Sequence, residues 1–377
     1  MIITTTSRTP SPRPAWLAAL AVFGSCAALC VPMQARAQSS VTLYGIVDAG
    51  VAYVSNVGGK TDWMATNSVM QANRLGFRGV EDLGGGTSAI FVLENGYSTT
   101  TGALGQGGKL FGRQAYVGLR DKRWGTLTFG NQYDFMGLTL GMYETSTWFL
   151  GQFSDHPFAN DRANAQRVPN SVQYLTPVWS GLQFGAQYGF SNLAGDINGN
   201  GRSYSYSASY TAGAWNIAAA YTEVAGTSSL LDISSIYGQP TGRTVLGGSY
   251  LRTLGVATSY RFEKTFVYAM YTQSLYAGIR SAGVENALFR NGQLGVTYSF
   301  TPSLTAATGY TLTTLGSTRF NQLSTTLDYA LSKRTDVYAM VLAEHMQGHD
   351  ARASIIGIGT SSSPNQIVGD VGIRHRF

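Results

Sequence analysis

The feature that most limits what this chain can fold into is a period of two. Residues 181–190 read GLQFGAQYGF: Leu182, Phe184, Ala186, Tyr188 and Phe190 fall on one side, and Gly181, Gln183, Gly185, Gln187 and Gly189 on the other. A strand sends successive side chains to opposite faces, so one face here is oily and aromatic and the other small and polar. In a soluble sheet the oily face packs a core. In a membrane barrel it meets lipid, and the small polar face lines water. The pattern recurs. Tyr204, Tyr206, Ala208 and Tyr210 alternate with serines, and Leu294, Val296, Tyr298 and Phe300 alternate with Gly295, Thr297 and Ser299. Leu254, Val256, Tyr260 and Phe262, and Leu323, Leu327, Tyr329 and Leu331, behave alike. Beyond Gln38 no apolar run approaches the roughly 18 residues of a spanning helix.

The connections decide which face is inside. Tight turns at 82–86, 121–124, 177–180, 263–264, 301–303 and 332–335 alternate with long polar stretches near 55–70, 99–108, 135–166, 191–202, 225–248, 276–288 and 347–365. A barrel spanning an outer membrane has short turns at one end and long loops at the other, whereas a soluble sandwich has no reason to sort its loops. About sixteen strands of roughly ten residues are counted, the length needed to span. They lie near 41–54, 71–82, 87–98, 110–121, 124–134, 168–177, 181–190, 203–211, 214–224, 250–262, 265–275, 290–300, 304–314, 320–331, 335–346 and 366–377. The expected fold is therefore all-β, a closed antiparallel transmembrane β-barrel. Lipid offers no partner to backbone groups, so the sheet must close on itself. A barrel of this size encloses water. The charged fraction, 12%, is about half that of an ordinary soluble domain. Tyr188, Phe190, Tyr210, Phe262 and Phe300 are expected in aromatic girdles.

The first 37 residues form a separate unit. Arg8 and Arg13 precede an apolar run from Ala15 to Val31, and Ala35-Arg36-Ala37 supplies a small-residue cleavage site. This is a secretory signal peptide, 1–37, with the barrel occupying 38–377. Cleavage leaves a net charge of +3 from the +6 of the whole chain. That excess is too small to argue for nucleic acid as a partner, and the signal peptide argues further against it. Both cysteines, Cys26 and Cys30, lie in the removed segment, so disulfides and thiolate chemistry are excluded from the rest.

The final strand, 368–377, places Val371, Ile373, His375 and Phe377 on one face and Asp370, Gly372, Arg374 and Arg376 on the other. With the terminal Phe377 it resembles the signal read by outer-membrane assembly machinery, and Gly372 and Phe377 are assigned to that signal. Four further runs carry a wider resemblance: SSVTLYGIVDAG at 39–50, NRLGFRGVEDLGGG at 73–86, FGRQAYVGL at 111–119 and GTLTFGNQY at 125–133. Together they resemble the first, second, fourth and fifth strands of the Gram-negative general porins of β-proteobacteria, trimeric barrels of sixteen strands.

The resemblance implies an outer-membrane homotrimer in contact with lipid and lipopolysaccharide, through which small hydrophilic solutes diffuse passively. It implies no cofactor or metal. It also implies that the third extracellular loop, here 135–166, folds into the barrel. The hydrophobic residues of that segment (Phe135, Met136, Leu138, Leu140, Trp148, Phe149, Leu150 and Phe153) favour packing inside. By family position Arg74, Arg113 and Arg167 are wall arginines of a pore constriction. Alternation puts Arg74 and Arg78 opposite Leu75 and Phe77, and Arg167 with Ser171 and Gln173. Parity leaves Arg113 open, because Ala115, Val117 and Leu119 share its face. Candidate acids are Glu94, by position and parity, and Glu144, Asp155 and Asp161 on the loop. Asn131 stands where the family commonly carries an arginine, one positive charge fewer. Fixed guanidinium groups in a narrow gap concentrate anions, so a mild anion preference is expected.

Rival readings are a barrel enzyme, a substrate-specific channel, an adhesin and a soluble secreted β-protein. An enzyme needs a nucleophile, a base and an orienting group within reach of one another. His345 and His349 lie four apart, a metal spacing on a helix, but they fall at a strand end and in a loop. A substrate-specific channel differs from a general porin only in loop detail. Small residues of the early strands (Gly45, Ala49, Gly76, Gly79, Gly112 and Gly118) are compatible with a subunit contact.

Overall fold

A computed structural model of the chain describes residues 39–377 other than 165, 198, 227, 231–244, 248 and 280–284. Residues 1–37, expected from sequence to be a signal peptide, and most of the stretch 225–248 lie outside the described residues. The strands are β1 (Ser40–Val57), β2 (Lys60–Asn67), β3 (Arg74–Gly84), β4 (Thr87–Gly96), β5 (Gln114–Asp121), β6 (Gly125–Tyr133), β7 (Arg167–Leu175), β8 (Leu182–Gly189), β9 (Ser203–Ala212) and β10 (Trp215–Ala225). They continue with β11 (Ser228–Leu230), β12 (Val245–Gly247), β13 (Tyr250–Phe262), β14 (Thr265–Ala277), β15 (Asn286–Ser299), β16 (Leu304–Leu315), β17 (Thr318–Ala330), β18 (Thr335–Gln347) and β19 (Asn365–Arg376). All but the small β11–β12 pair belong to one 17-stranded antiparallel sheet. No helix among the described residues is long and apolar enough to cross a membrane.

The sheet closes where β1 meets β19, from Ile46 opposite Arg376 to Val54 opposite Val368. The last rung is made by Phe377: Gly45 N–H donates to the Phe377 carbonyl at 3.0 Å, and Phe377 N–H returns the bond at 3.1 Å. Sixteen wall positions result, because β2 and β3 share one. The outer half of β1, Ala49–Val57, pairs with β2, and its first half, Ser40–Ile46, pairs with β3.

The sequence expectation of a loop over 55–70 is corrected here. The segment turns at Gly58 and Gly59, both in the left-handed region, and returns as β2. The break between β2 and β3 is built by Asp48. Its carboxylate accepts the N–H groups of Val69 at 3.0 Å and Gln71 at 3.2 Å, and Asn73 Nδ2 donates to the Asp48 carbonyl at 3.1 Å. Side chains thus replace the ladder bonds that the missing rungs would have made.

The opening ambiguity resolves outward. Phe184 is 44% exposed and Leu182 and Phe190 are exposed with it, while Gln187 on the other face is 4% exposed. Leu254, Val256, Leu294, Leu323, Leu327 and Val371 are likewise on the exposed face. Alternate residues (Thr253, Gln293, Gln322) are buried on the inner one. Aromatic rings pair near strand ends: Tyr188–Phe190 at 4.8 Å, Tyr260–Phe262 at 4.5 Å and Tyr298–Phe300 at 4.9 Å.

The early glycines do not form one small-residue surface. Gly76 and Gly118 alternate with the exposed Leu75, Phe77, Val117 and Leu119, so they face inward, and only part of the set faces out. Each makes room for a neighbour within the chain. A Cβ on Gly76 would fall 2.4 Å from the Tyr44 ring, and one on Gly79 2.0 Å from the Phe91 ring.

Candidate functional site

Two clusters stand out, one gathered around Glu94 on the wall of β3–β7 and one on the segment between β6 and β7. On the wall, Glu94 of β4 faces inward and accepts from Arg113 Nε at 2.7 Å and from the Tyr44 hydroxyl at 3.0 Å. Arg113 also donates from its terminal nitrogen to the Tyr133 hydroxyl at 2.7 Å. Arg167 reaches the same hydroxyl at 3.2 Å, donates to the Arg113 carbonyl at 3.2 Å, and holds its guanidinium 4.8 Å from the Tyr133 ring centre. Arg74 interacts electrostatically with Arg113, Glu94 and Tyr44. Arg78 is exposed, 5.8 Å from the Tyr44 ring. The structure therefore gathers Arg74, Arg113, Arg167 and Glu94 into one cluster, with Arg78 beside Tyr44.

Alternation was an incomplete guide to this cluster. Arg113 precedes the first residue of β5, so the outward parity of Val117 and Leu119 does not bind it. In β7 an extra residue enters: Ser171 pairs with Gly130 but Val168 pairs with Gln132, and Asn170 adopts a φ of 52°. The bulge shifts the parity between Arg167 and Ser171, so the face shared in sequence is not shared in space. Arg167 reaches the cluster through Tyr133, its partner in register. Tyr133 and Tyr44 were not singled out as site residues from sequence. Asn131, the departure from the family pattern, donates to the Gly112 carbonyl at 3.2 Å, next to Arg113.

The segment 134–166 lies against the inner face. It is launched by Gln173 and Gln187, whose side-chain amides donate to the Tyr133 carbonyl at 2.9 and 3.2 Å. Its two ends are clasped by an Asp134–Arg162 ion pair and by the Asp134 N–H to the Gln166 carbonyl. Phe135, Met136 and Leu140 pack on Ala218, Ala220, Ala257 and Met270. The wall offers space to these anchors: a Cβ on Gly185 would lie 2.3 Å from the Phe135 ring, and one on Gly255 2.7 Å from Leu140. Farther on, Phe153 joins Val69, Met70 and Met340, and Phe158 packs edge-on against Phe320 at 5.7 Å.

The loop acids do not meet the arginines. Glu144, Asp155, His156 and Asp161 are buried together near β14 and β15. His156 Nδ1 faces Asp161 Oδ2 at 2.5 Å, and its Nε2 faces Gln293 Oε1 at 2.7 Å. Asp161 also accepts from the Thr272 hydroxyl and, at 3.4 Å, from Asn291. Burial, reinforced by Asp155 and Asp161, holds the Glu144 carboxyl well above the usual carboxylate range. Burial likewise pushes Asp155 up to about 7. For His156 burial opposes the charged form, but the Asp161 carboxylate outweighs it and raises the imidazole. Burial also opposes the Asp161 charge, and His156 in turn brings that carboxyl below its ordinary value. The pairing of Glu144, Asp155 and Asp161 with the wall arginines, expected from sequence, is replaced by a pairing of the loop with the opposite wall. His156 has no role assigned from sequence; its one visible signal is its place five residues before Asp161 inside the longest loop. His345 bonds Asn365 at 2.7 Å and His349 lies by Asp350 at 3.0 Å, both exposed.

At the barrel seam, the Phe377 ring covers Gly45, where a Cβ would stand 2.3 Å from it. Gly372 leaves room for the Tyr338 hydroxyl in the same way.

Residues 18–346 match the family described as Gram-negative porin. An outer membrane porin protein of Bordetella pertussis is 29% identical over 91% of this chain and 96% of its own length. Among solved structures, an anion-selective porin from Comamonas acidovorans superposes with a TM-score of 0.74 at 23% identity, covering 90% of this chain and all of its own. OmpT, an outer membrane protein of Vibrio cholerae in its trimer form, superposes with a TM-score of 0.64 at 13% identity, covering 90% of this chain and 99% of its own.

Proposed function

The chain belongs to the Gram-negative porin family, and from that membership we infer a water-filled channel of the outer membrane that passes ions and small hydrophilic solutes with a mild anion preference. The family and the Bordetella relative are described as porins, which supports a channel over an enzyme. The outer-membrane location follows from the same relatives and from a closed barrel with an apolar exterior.

One observation carries the anion preference: Arg113 and Arg167 converge on Tyr133 beside Arg74, and Glu94 is bonded to Arg113 alone among them. Arginine keeps its charge at any working pH. In a narrow, poorly screened passage such charges raise the local anion concentration and repel cations. Of the loop acids, Asp161 is engaged by His156, Thr272 and Asn291, away from these arginines. The solved anion-selective porin is a likeness in fold at 23% identity, so the preference rests on the arginines of this chain.

Finer elements of the proposal are removal of residues 1–37, assembly as a homotrimer in lipid and lipopolysaccharide, and reading of Gly372 and Phe377 by the barrel assembly machinery. The deciding experiment is the zero-current potential of the purified protein in a planar bilayer under a salt gradient. An anion-selective potential supports the cationic constriction. A cation-selective one keeps the channel and overturns the role given to the arginines.

A further inference from the structure

We propose that Glu144, His156 and Asp161 form a divalent-cation site of the zinc type that fastens the inward segment to β14 and β15. Their ligand atoms lie within 4.8 Å of one another, and all three residues are buried. Tetrahedral donors about 2.0–2.2 Å from zinc stand roughly 3.4 Å from one another, so the ion would part Nδ1 from Oδ2, now 2.5 Å apart, and take Glu144 as the third donor. The second observation is Glu144 Oε1. Glu144 is 1% exposed, and this oxygen has no hydrogen-bond partner. A buried carboxylate oxygen without a donor is costly unless a proton or a cation meets it.

The surrounding bonds orient the donors for a metal. Gln293 Nε2 donates to the Tyr143 carbonyl, which turns Gln293 Oε1 toward His156. That oxygen accepts only, so His156 Nε2 carries a proton and Nδ1 is the ring nitrogen left to meet a metal once its own proton is displaced. A metal-binding histidine typically donates its other ring N–H to a carboxylate, a backbone carbonyl or water, and the Gln293 side-chain oxygen takes that role here. Asp161 Oδ2, facing Nδ1 at 2.5 Å, is fixed by Thr272 and Asn291. A proton shared between Nδ1 and Oδ2 is what the ion would displace. Two carboxylates and a neutral imidazole balance a charge of two, so the filled site is neutral inside a sealed environment. The imidazole nitrogen selects zinc over calcium or magnesium, which take oxygen ligands.

The test counts metal on the full-length mature protein in detergent. Chelator-stripped protein, shown to be folded by its bilayer conductance, is equilibrated with ZnCl2; a second sample is refolded with ZnCl2 present, because the site is sealed. The expected result is one zinc per chain in at least one sample. Glu144→Gln and Gln293→Ala should each weaken binding about 10- to 100-fold, the range for lost metal-site partners. His349→Ala, which removes the exposed His349–Asp350 pair, should leave it unchanged. No zinc in either sample, equal binding by Glu144→Gln, or displacement by equimolar calcium overturns the site. Normal conductance with no bound zinc removes the metal site alone and leaves the channel reading standing.

Discussion

At the scale of residues, Tyr133 is the hinge of the wall cluster. Its hydroxyl takes bonds from both Arg113 and Arg167, and its ring carries the Arg167 guanidinium. Arg113→Ala and Arg167→Ala should each raise single-channel conductance and move the zero-current potential toward cations. An unchanged potential in both would retire the cationic constriction. Tyr133→Phe keeps every charge but removes an acceptor used by two guanidinium groups, each bond being worth about 1.5–3 kcal/mol. We expect a smaller shift in potential and more open-channel noise. These residues were only partly legible beforehand. Alternation places side chains where a ladder is regular, and both Arg113 and Arg167 sit where it is not, one before its strand and one beyond a bulge.

At the scale of elements, the inward segment is held by shape as much as by polar bonds. Phe135 is fully buried, its ring filling the space that Gly185 leaves, and its N–H donates to Ser205 at 2.9 Å. Phe135→Ala should cost about 3–5 kcal/mol of local anchoring, the usual penalty for emptying an aromatic site. Protease cleavage within 134–166 and spontaneous channel closures should both increase, while far-ultraviolet circular dichroism of the barrel stays the same. Resistance to cleavage equal to the parent protein would mean that the polar anchors suffice, namely Asp161 with Thr272 and Asn160 with Asn291. The lengths of most strands were readable from alternation, but β2 was not. Its formation depends on Asp48, whose bonds to residues 69–73 bridge two stretches distant in sequence.

At the scale of the whole molecule, closure depends on the contact between the two ends of the barrel. Phe377 exchanges backbone bonds with Gly45, and its ring lies over the Cα of that glycine. Phe377→Ser should lower the amount of folded, heat-resistant protein in the outer membrane. Gly45→Val should reproduce the defect without touching the terminus, because a Cβ there meets the ring at 2.3 Å. Normal levels of folded barrel in both variants would assign the terminal residue no role in closure or assembly.

The sequence by itself determined the class of fold, the number of wall positions, the outward direction of the oily face and the membership in a channel family. Each of these follows from a local period or a contiguous run, and lipid enforces them everywhere along the wall. Tertiary structure alone decided the partners of the charges. Glu94 meets Arg113 across neighbouring strands, whereas Asp161 bonds Thr272 of β14 and Asn291 of β15, more than a hundred residues away. The fold of a long loop inside a barrel is set by which wall pockets its side chains fill, and no periodicity within the loop records that choice.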